Sequence, residues 1–98
     1  MADNTVRVTG ALQEGGVTDW LLLRGGHNFF DISVAGTFAA TVHLQRKRPG
    51  EADSAARDIE SFTAPVEKIG EMRGHWDVRL TVKSGNYTSG TVVAELGS

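Results

Sequence analysis

The sequence predicts an all-β fold: a single β-sandwich, or a flattened barrel, of seven to eight mostly antiparallel strands. Apolar residues recur at every second position along most of the chain. Turn-forming residues separate these alternating segments at intervals typical of sandwiches and barrels. No segment keeps a helical apolar spacing over several turns. A period of two places successive side chains on opposite faces of a strand, so one face of each sheet is expected in the core and the other in solvent.

Four strands are predicted in the first half of the chain. The first spans residues 5–12 and ends before a turn at Gly15-Gly16. The second spans residues 17–23, and the third spans residues 29–34 and stops at Gly36. The fourth, residues 37–45, is the most regular, because one set of alternate positions is apolar throughout: Phe38, Ala40, Val42 and Leu44.

The second half begins with a polar loop over residues 47–57, in which residues 52–57 have the composition of one helical turn. Strands are then predicted over residues 58–63, 66–72 and 76–82, the first of them stopped by Pro65 because proline cannot donate to a strand ladder. Residues 84–90 are interpreted as a hairpin connection, with a final strand over residues 91–96 that pairs back on the preceding strand.

Length and composition indicate one domain over residues 1–98, with residues 1–16 as a candidate assembly arm. The chain has 98 residues, of which 40% are hydrophobic and 22% charged. The longest apolar run is far below the roughly 20 residues that span a bilayer, so no membrane association is predicted. The N-terminus lacks a secretory signal pattern, so no export is expected. With no cysteine to form disulfides, a small core of this kind favours oligomerisation or docking on a partner.

The sequence offers little catalytic or ligand-binding chemistry. A net charge of −2 disfavours direct binding to nucleic acid. The histidines His27, His43 and His75 lack the spacing of a metal site. No nucleophile elbow accompanies the serines, and Gly15-Gly16 and Gly25-Gly26 lack the lysine of a phosphate loop. We therefore predict a protein that is not an enzyme and has no cofactor and no metal.

Two groups of residues are candidates for a partner interface. The first is the basic cluster Arg46, Lys47 and Arg48, which is either a solvated strand end or an attachment site for an acidic surface. The second is apolar: Trp20 stands beside a run of three leucines centred on Leu22, and Phe29 adjoins Phe30. Consecutive apolar residues in a strand are either covered on both faces within the fold or exposed to a partner. Trp76 shares its face with Val78 and is expected in the core.

From Gly36 onward the chain resembles a family of small bacteriophage and prophage virion structural proteins, of the head-decoration or fibre-base type. The resembling segments cover about 60 residues, and the closing Ser-Gly-x-Tyr-x-Ser-Gly-Thr of residues 84–91 is the most distinctive. Relatives tend to have an Asp-Gly-Gly-x-Thr-Trp turn after the Gln-Arg strand, which residues 47–57 replace here. The other segments that carry the likeness are residues 36–38, 41–46, 62–65 with Glu67, and 76–80.

The resemblance implies a structural role in a virion, as decoration or cement on the head or as the base of a head or tail fibre. It also implies contacts with the major capsid protein or other virion proteins, and assembly as a homo-oligomer, with a trimer as the first expectation. The protein would be made in the bacterial host cytoplasm and reside in the virion. A different possibility is a carbohydrate-binding β-sandwich for host-surface glycans, in which Trp20 or Tyr87 stacks on sugar rings.

Overall fold

The computed structural model describes residues 7–98 and shows an all-β sandwich. A front sheet with strand order β1-β10-β3-β7 faces a back sheet with order β2-β8-β5-β6, and β4 and β9 form a separate two-stranded ribbon. Every strand pairing is antiparallel. The strands are β1 (Arg7–Leu12), β2 (Leu21–Leu23), β3 (His27–Ala35), β4 (Phe38–Ala40), β5 (Val42–Lys47), β6 (Arg57–Phe62), β7 (Val66–Arg73), β8 (Trp76–Thr81), β9 (Tyr87–Gly90) and β10 (Val92–Gly97).

The core lies between the two four-stranded sheets and is built from the alternate apolar positions. On β3 the residues Phe30, Ile32 and Val34 are buried, as the alternation predicts. On the opposing sheet Val78 and Leu80 of β8 are fully buried and belong to the same apolar cluster. The predicted fold class is therefore confirmed, because period-two patterning places one apolar face of each sheet against the other.

Ten strands are present among residues 7–98, two more than the upper predicted number. The predicted strand over residues 37–45 is divided at Thr41: β4 pairs with β9 in the ribbon, while β5 lies in the back sheet. The Thr41 amide donates to the carbonyl of Asn86 instead of to a ladder partner. The second extra strand is β9, which occupies part of the predicted hairpin connection.

The predicted pairing of the last strand with residues 76–82 is wrong. β10 pairs with β1 and β3 in the front sheet, whereas β8 lies in the back sheet. The chain changes sheet around Gly90, whose φ of 88° is in the left-handed region. A Cβ atom there would stand 2.2 Å from the Thr37 carbonyl oxygen, so this crossing requires glycine. The crossing lets β10 contact β8 through the core rather than beside it.

Three shorter segments also differ from, or refine, the prediction. Within residues 17–23 only Leu21–Leu23 forms a strand, and Val17 makes an isolated bridge to Thr81. The helical turn expected in the polar loop is present as a 3₁₀ turn, Asp53–Ala55. Of the candidate arm, β1 is an edge strand paired with β10, and residues 1–6 lie outside the described part. None of the helical segments within residues 7–98 has the length and apolar composition to cross a membrane.

Candidate interaction surfaces

The basic cluster at residues 46–48 is divided between the two faces of the back sheet. Arg46 has the same parity as buried Val42 and Leu44, so it points toward the interior side at the end of β5. Lys47 has the opposite parity and points to the outer face. Each side meets a different tryptophan, so the three cations do not act as one surface.

Arg46 and Arg48 both contact the ring of Trp76. The guanidinium carbons of Arg46 and Arg48 each lie 3.9 Å from the centre of the Trp76 ring, within cation–π range. The indole Nε1 donates to the carbonyl of Arg73 at 2.9 Å, and the residue is only 7% exposed. The expectation that Trp76 belongs to the core is confirmed, and both guanidinium groups lie against its ring.

Trp20 is half-buried on the outer face of the back sheet and also receives two cations. The ammonium of Lys47 lies 4.8 Å from its ring centre and the guanidinium of Arg79 lies 4.4 Å away. Its Nε1 donates to Asp53 Oδ1 at 3.1 Å, and Lys47 Nζ donates to the same oxygen at 3.1 Å. The hydrogen bond from Lys47 holds the pKa of Asp53 below its ordinary value of 3.8, with smaller contributions from Trp20 and Arg79. Asp53 is thus the counter-ion of this group.

A polar ladder continues from Trp20 across the same outer face. Arg79 Nε donates to Gln45 Oε1 at 3.0 Å, and Gln45 Nε2 donates to Asp58 Oδ1 at 2.9 Å. Lys83 donates to the other oxygen of Asp58. The hydrogen bonds from Lys83 and then Gln45 lower the pKa of Asp58. Apart from polar residues at alternate positions, nothing in the sequence indicates this ladder, because its partners on three strands meet only in the folded sheet.

The predicted apolar residues do not form one patch. Leu22 is 49% exposed on the outer face of the back sheet, between buried Leu21 and Leu23. Phe29 is 63% exposed, but it lies on the front sheet, where its neighbour Phe30 is buried. Because successive side chains of a strand point to opposite faces, the leucine run and the phenylalanine pair each place one side chain in solvent and the rest in the core. The two exposed side chains therefore face away from each other across the sandwich.

The exposed Phe29 has an apolar neighbour that the sequence did not single out. Ile69 on β7 is 76% exposed and lies diagonally across from Phe29, since Asp31 is its direct partner on β3. Next to them, opposite Asp31, β10 has Gly97, which lacks a side chain. These residues line a shallow depression of about 280 Å³. We call this surface the Phe29–Ile69 face. The sequence signal that could have found it is the apolar Ile69 at the alternate position between Glu67 and Glu71 of a weak strand.

Charged side chains surround the Phe29–Ile69 face and are mostly paired. Arg7 forms salt bridges with Asp31 and Glu95. His27 Nε2 lies 2.9 Å from Glu71, and its ring stacks at 4.9 Å on Phe29. The apolar centre with a polar rim resembles the cross-section of a protein–protein contact.

The described residues contain no cluster suited to a metal ion. No group of three or more histidine, cysteine or acidic side chains is placed to hold a metal ion within residues 7–98. His43 hydrogen-bonds Asn86 at 3.1 Å, whereas His27 hydrogen-bonds Glu71. The two histidines therefore have separate partners. Tyr87, a candidate for sugar stacking, donates its hydroxyl to the Gly90 carbonyl at 2.8 Å.

Comparisons with known proteins give no assignment. No protein-family model matches the chain, and searches of curated proteins and of solved structures find no significant similarity.

Proposed function

We propose that this protein is a non-enzymatic structural component of a virion, either a head decoration or cement protein or the base of a head or tail fibre. In this proposal it is made in the bacterial host cytoplasm, resides in the virion, and acts through contacts with the major capsid protein or other virion proteins. The sequence resemblance from Gly36 onward supports the setting, and the structure supports a role through surfaces.

The observation that carries the proposal is the Phe29–Ile69 face. Two large apolar side chains stand 63% and 76% exposed on neighbouring strands of a sheet, beside the depression at Gly97. Adjacent exposed apolar groups of this kind favour burial against another protein surface. A structural subunit in a repetitive particle has such a neighbour at every position.

Self-association is the first part of the proposal to test, with a trimer expected from the resemblance. We expect the purified chain to form an oligomer in sedimentation equilibrium, and the double variant Phe29→Ser with Ile69→Ser to be monomeric. Leu22→Ser is the matched control, because Leu22 is a similarly exposed apolar residue on the other sheet. A wild-type chain that stays monomeric at high concentration would remove the oligomer from the proposal.

The virion setting has its own test. Mass spectrometry of particles purified after prophage induction in the source bacterium is expected to find this chain as a stoichiometric component. Hundreds of copies per particle would indicate decoration and dozens would indicate fibre bases. Particles that lack the chain would refute the virion proposal.

The second candidate is a carbohydrate-binding module, and Phe29 is the residue that favours it. The ring of Trp20 already carries two cations, and Tyr87 is held by its own turn. Phe29 is instead 63% exposed, with His27 against part of its ring and the Arg7–Asp31 pair on the same face. An exposed aromatic ring beside polar groups is a common way to bind sugar rings. A glycan array would support this function if a hit is lost in Phe29→Ala, and an array without hits would refute it.

A further inference from the structure

The basic side chains of the described residues fall into two classes. Six of the ten lysines and arginines form salt bridges within residues 7–98: Arg7, Arg24, Lys47, Lys68, Arg79 and Lys83. The other four form none there: Arg46, Arg48, Arg57 and Arg73. In a chain with more acidic than basic residues, unpaired arginines are unexpected.

The four unpaired arginines are also neighbours. Arg46 and Arg48 lie over Trp76, and Arg57 is the direct partner of Arg46 across the β5–β6 pairing. Arg73 belongs to the same end of the sandwich, since its carbonyl accepts the Trp76 hydrogen bond. We call Arg46, Arg48 and Arg57 the arginine cluster.

This arrangement is unfavourable for the isolated chain. Like charges placed directly opposite on neighbouring strands repel, as Arg46 and Arg57 do here. In addition, Nε of Arg46 is buried without a hydrogen-bond partner among residues 7–98. Stacking on Trp76 favours Arg46 and Arg48, whereas Arg57 makes no such contact with an aromatic ring of the described residues. An external anion would supply the counter-charge that these arginines lack among residues 7–98.

We propose that the arginine cluster binds a carboxylate-rich surface on a neighbouring protein subunit. Guanidinium groups match carboxylates through paired, charge-assisted hydrogen bonds, and stacking on Trp76 holds two of them in position. The identity of the neighbour as a virion subunit rests on the proposed function. The preference of the cluster for carboxylates rests only on the arginines themselves.

The charge around the cluster favours a protein surface over a nucleic acid. The chain carries a net charge of −2, and the carboxylate of Glu51 accepts from the backbone amide of Arg48 beside the cluster. A nucleic acid is an extended chain of phosphates, so beyond the three arginines it would be repelled by the acidic side chains around them. A compact acidic patch on a protein could contact the arginines alone. The cluster is therefore suited to a local contact.

The two tryptophans provide the readout for a test with short model ligands. Decaglutamate is titrated into the ¹⁵N-labelled protein, with decaglutamine, inorganic phosphate and a ten-residue oligothymidylate as comparison ligands. We expect decaglutamate to shift the indole N–H signal of Trp76 while leaving that of Trp20 in place. High salt should reverse the shift, because exposed charge pairs are screened.

Variants then connect the shift to the cluster. The triple variant Arg46→Gln, Arg48→Gln and Arg57→Gln should weaken decaglutamate binding at least about tenfold, as expected for losing several charge-assisted contacts. The control triple variant Arg7→Gln, Lys68→Gln and Lys83→Gln has the same net charge but keeps the cluster, and should bind about as well as wild type. Arg57→Gln alone, which leaves Trp76 and its two arginines intact, should still weaken binding measurably and so tests the proposal if the triple variant does not fold.

Three results would overturn the proposal. The first is the absence of a Trp76 shift with decaglutamate. The second is preferential binding of oligothymidylate or phosphate, which would make this a phosphate site. The third is equal weakening in both triple variants, which would indicate nonspecific charge attraction. None of these depends on particle composition, so the virion proposal is tested separately by mass spectrometry.

Discussion

The two tryptophans of this chain have similar contacts and opposite electrostatic situations. Each lies next to two cations, Trp76 next to Arg46 and Arg48, and Trp20 next to Lys47 and Arg79. The cations at Trp20 share a carboxylate, whereas those at Trp76 form no salt bridge within residues 7–98.

The difference shows that an aromatic–cation contact does not by itself reveal the role of a basic residue. At Trp20 the charges are balanced within the fold by Asp53 on the 3₁₀ turn, so the group joins a loop to the back sheet. At Trp76 the two arginines form no salt bridge within residues 7–98, so we expect this group to be available to an anion from outside. The counter-ion distinguishes a structural cluster from a binding cluster.

The largest expected effect comes from removing the two rings in turn. Trp76→Ala should lower the free energy of unfolding by about 3–5 kcal/mol, because a nearly buried indole is lost from the core. Trp20→Ala should cost clearly less, since Trp20 is half-buried on an outer face. Urea denaturation followed by circular dichroism measures both. Equal losses would mean that the two rings contribute equally to the core, contrary to their burial.

A smaller effect is expected from the counter-ion at Trp20. The pKa of Asp53 is lower in the folded protein than its ordinary value of 3.8, so the folded chain binds this proton more weakly than the unfolded chain. The ionised carboxylate therefore stabilises the fold at pH values above 3.8. Asp53→Asn keeps an oxygen acceptor but removes the charge, and should lower the melting temperature at neutral pH. As the pH falls through and below 3.8, wild type loses this stabilisation and the two melting curves should converge.

Asp19→Asn is the control for that experiment, because Asp19 is an exposed residue with no salt bridge among the described residues. Its melting temperature should stay close to wild type at every pH. Asp58, whose pKa is also lowered, titrates in all three proteins, and therefore does not alter the comparison. A difference between Asp53→Asn and wild type that persists in acid would show that the effect is not electrostatic.

The smallest expected effect concerns the arginine cluster, where the direction of the change in stability is the informative result. Arg57→Gln should leave stability unchanged or raise it by up to about 1 kcal/mol, because it removes a like-charge pair across β5 and β6. Lys83→Gln, which breaks the pair with Asp58, should lower stability slightly. Differential scanning calorimetry at low salt detects both changes. A destabilised Arg57→Gln would show that Arg57 has a favourable contact within the fold.

Much of the fold was predictable, because it depends on local alternation. Residues 29–34 and 76–82 needed only their period of two to be placed as strands with their apolar face in the core. The same rule, applied to residues 46–48, would have separated Lys47 from its two arginine neighbours. The division of residues 37–45 was not predictable, because the strand keeps its pattern while its hydrogen-bond partner changes from β9 to β6 and β8.

The candidate surfaces depended on information that no local pattern contains. Strand alternation alone places Phe29 on the face opposite buried Phe30, but its neighbour Ile69 comes from β7, about forty residues away in the chain. Arg57 likewise joins Arg46 only because β6 pairs with β5 in one register, with a shift after Leu44. Such neighbours are set by register, which a single sequence does not state.

The sequence by itself determined which side chains of each strand face the core, because alternation is a property of the extended backbone. It also determined the overall charge and the absence of cysteine. Only the tertiary structure decided which strands meet, and hence that β10 lies across the core from β8 and that Phe29 has Ile69 beside it. It also decided that the cations at Trp20 share the carboxylate of Asp53, whereas those at Trp76 form no salt bridge within residues 7–98. The physical reason is that burial is satisfied by many strand orders, whereas pairing, register and counter-ions are fixed only when distant segments come together.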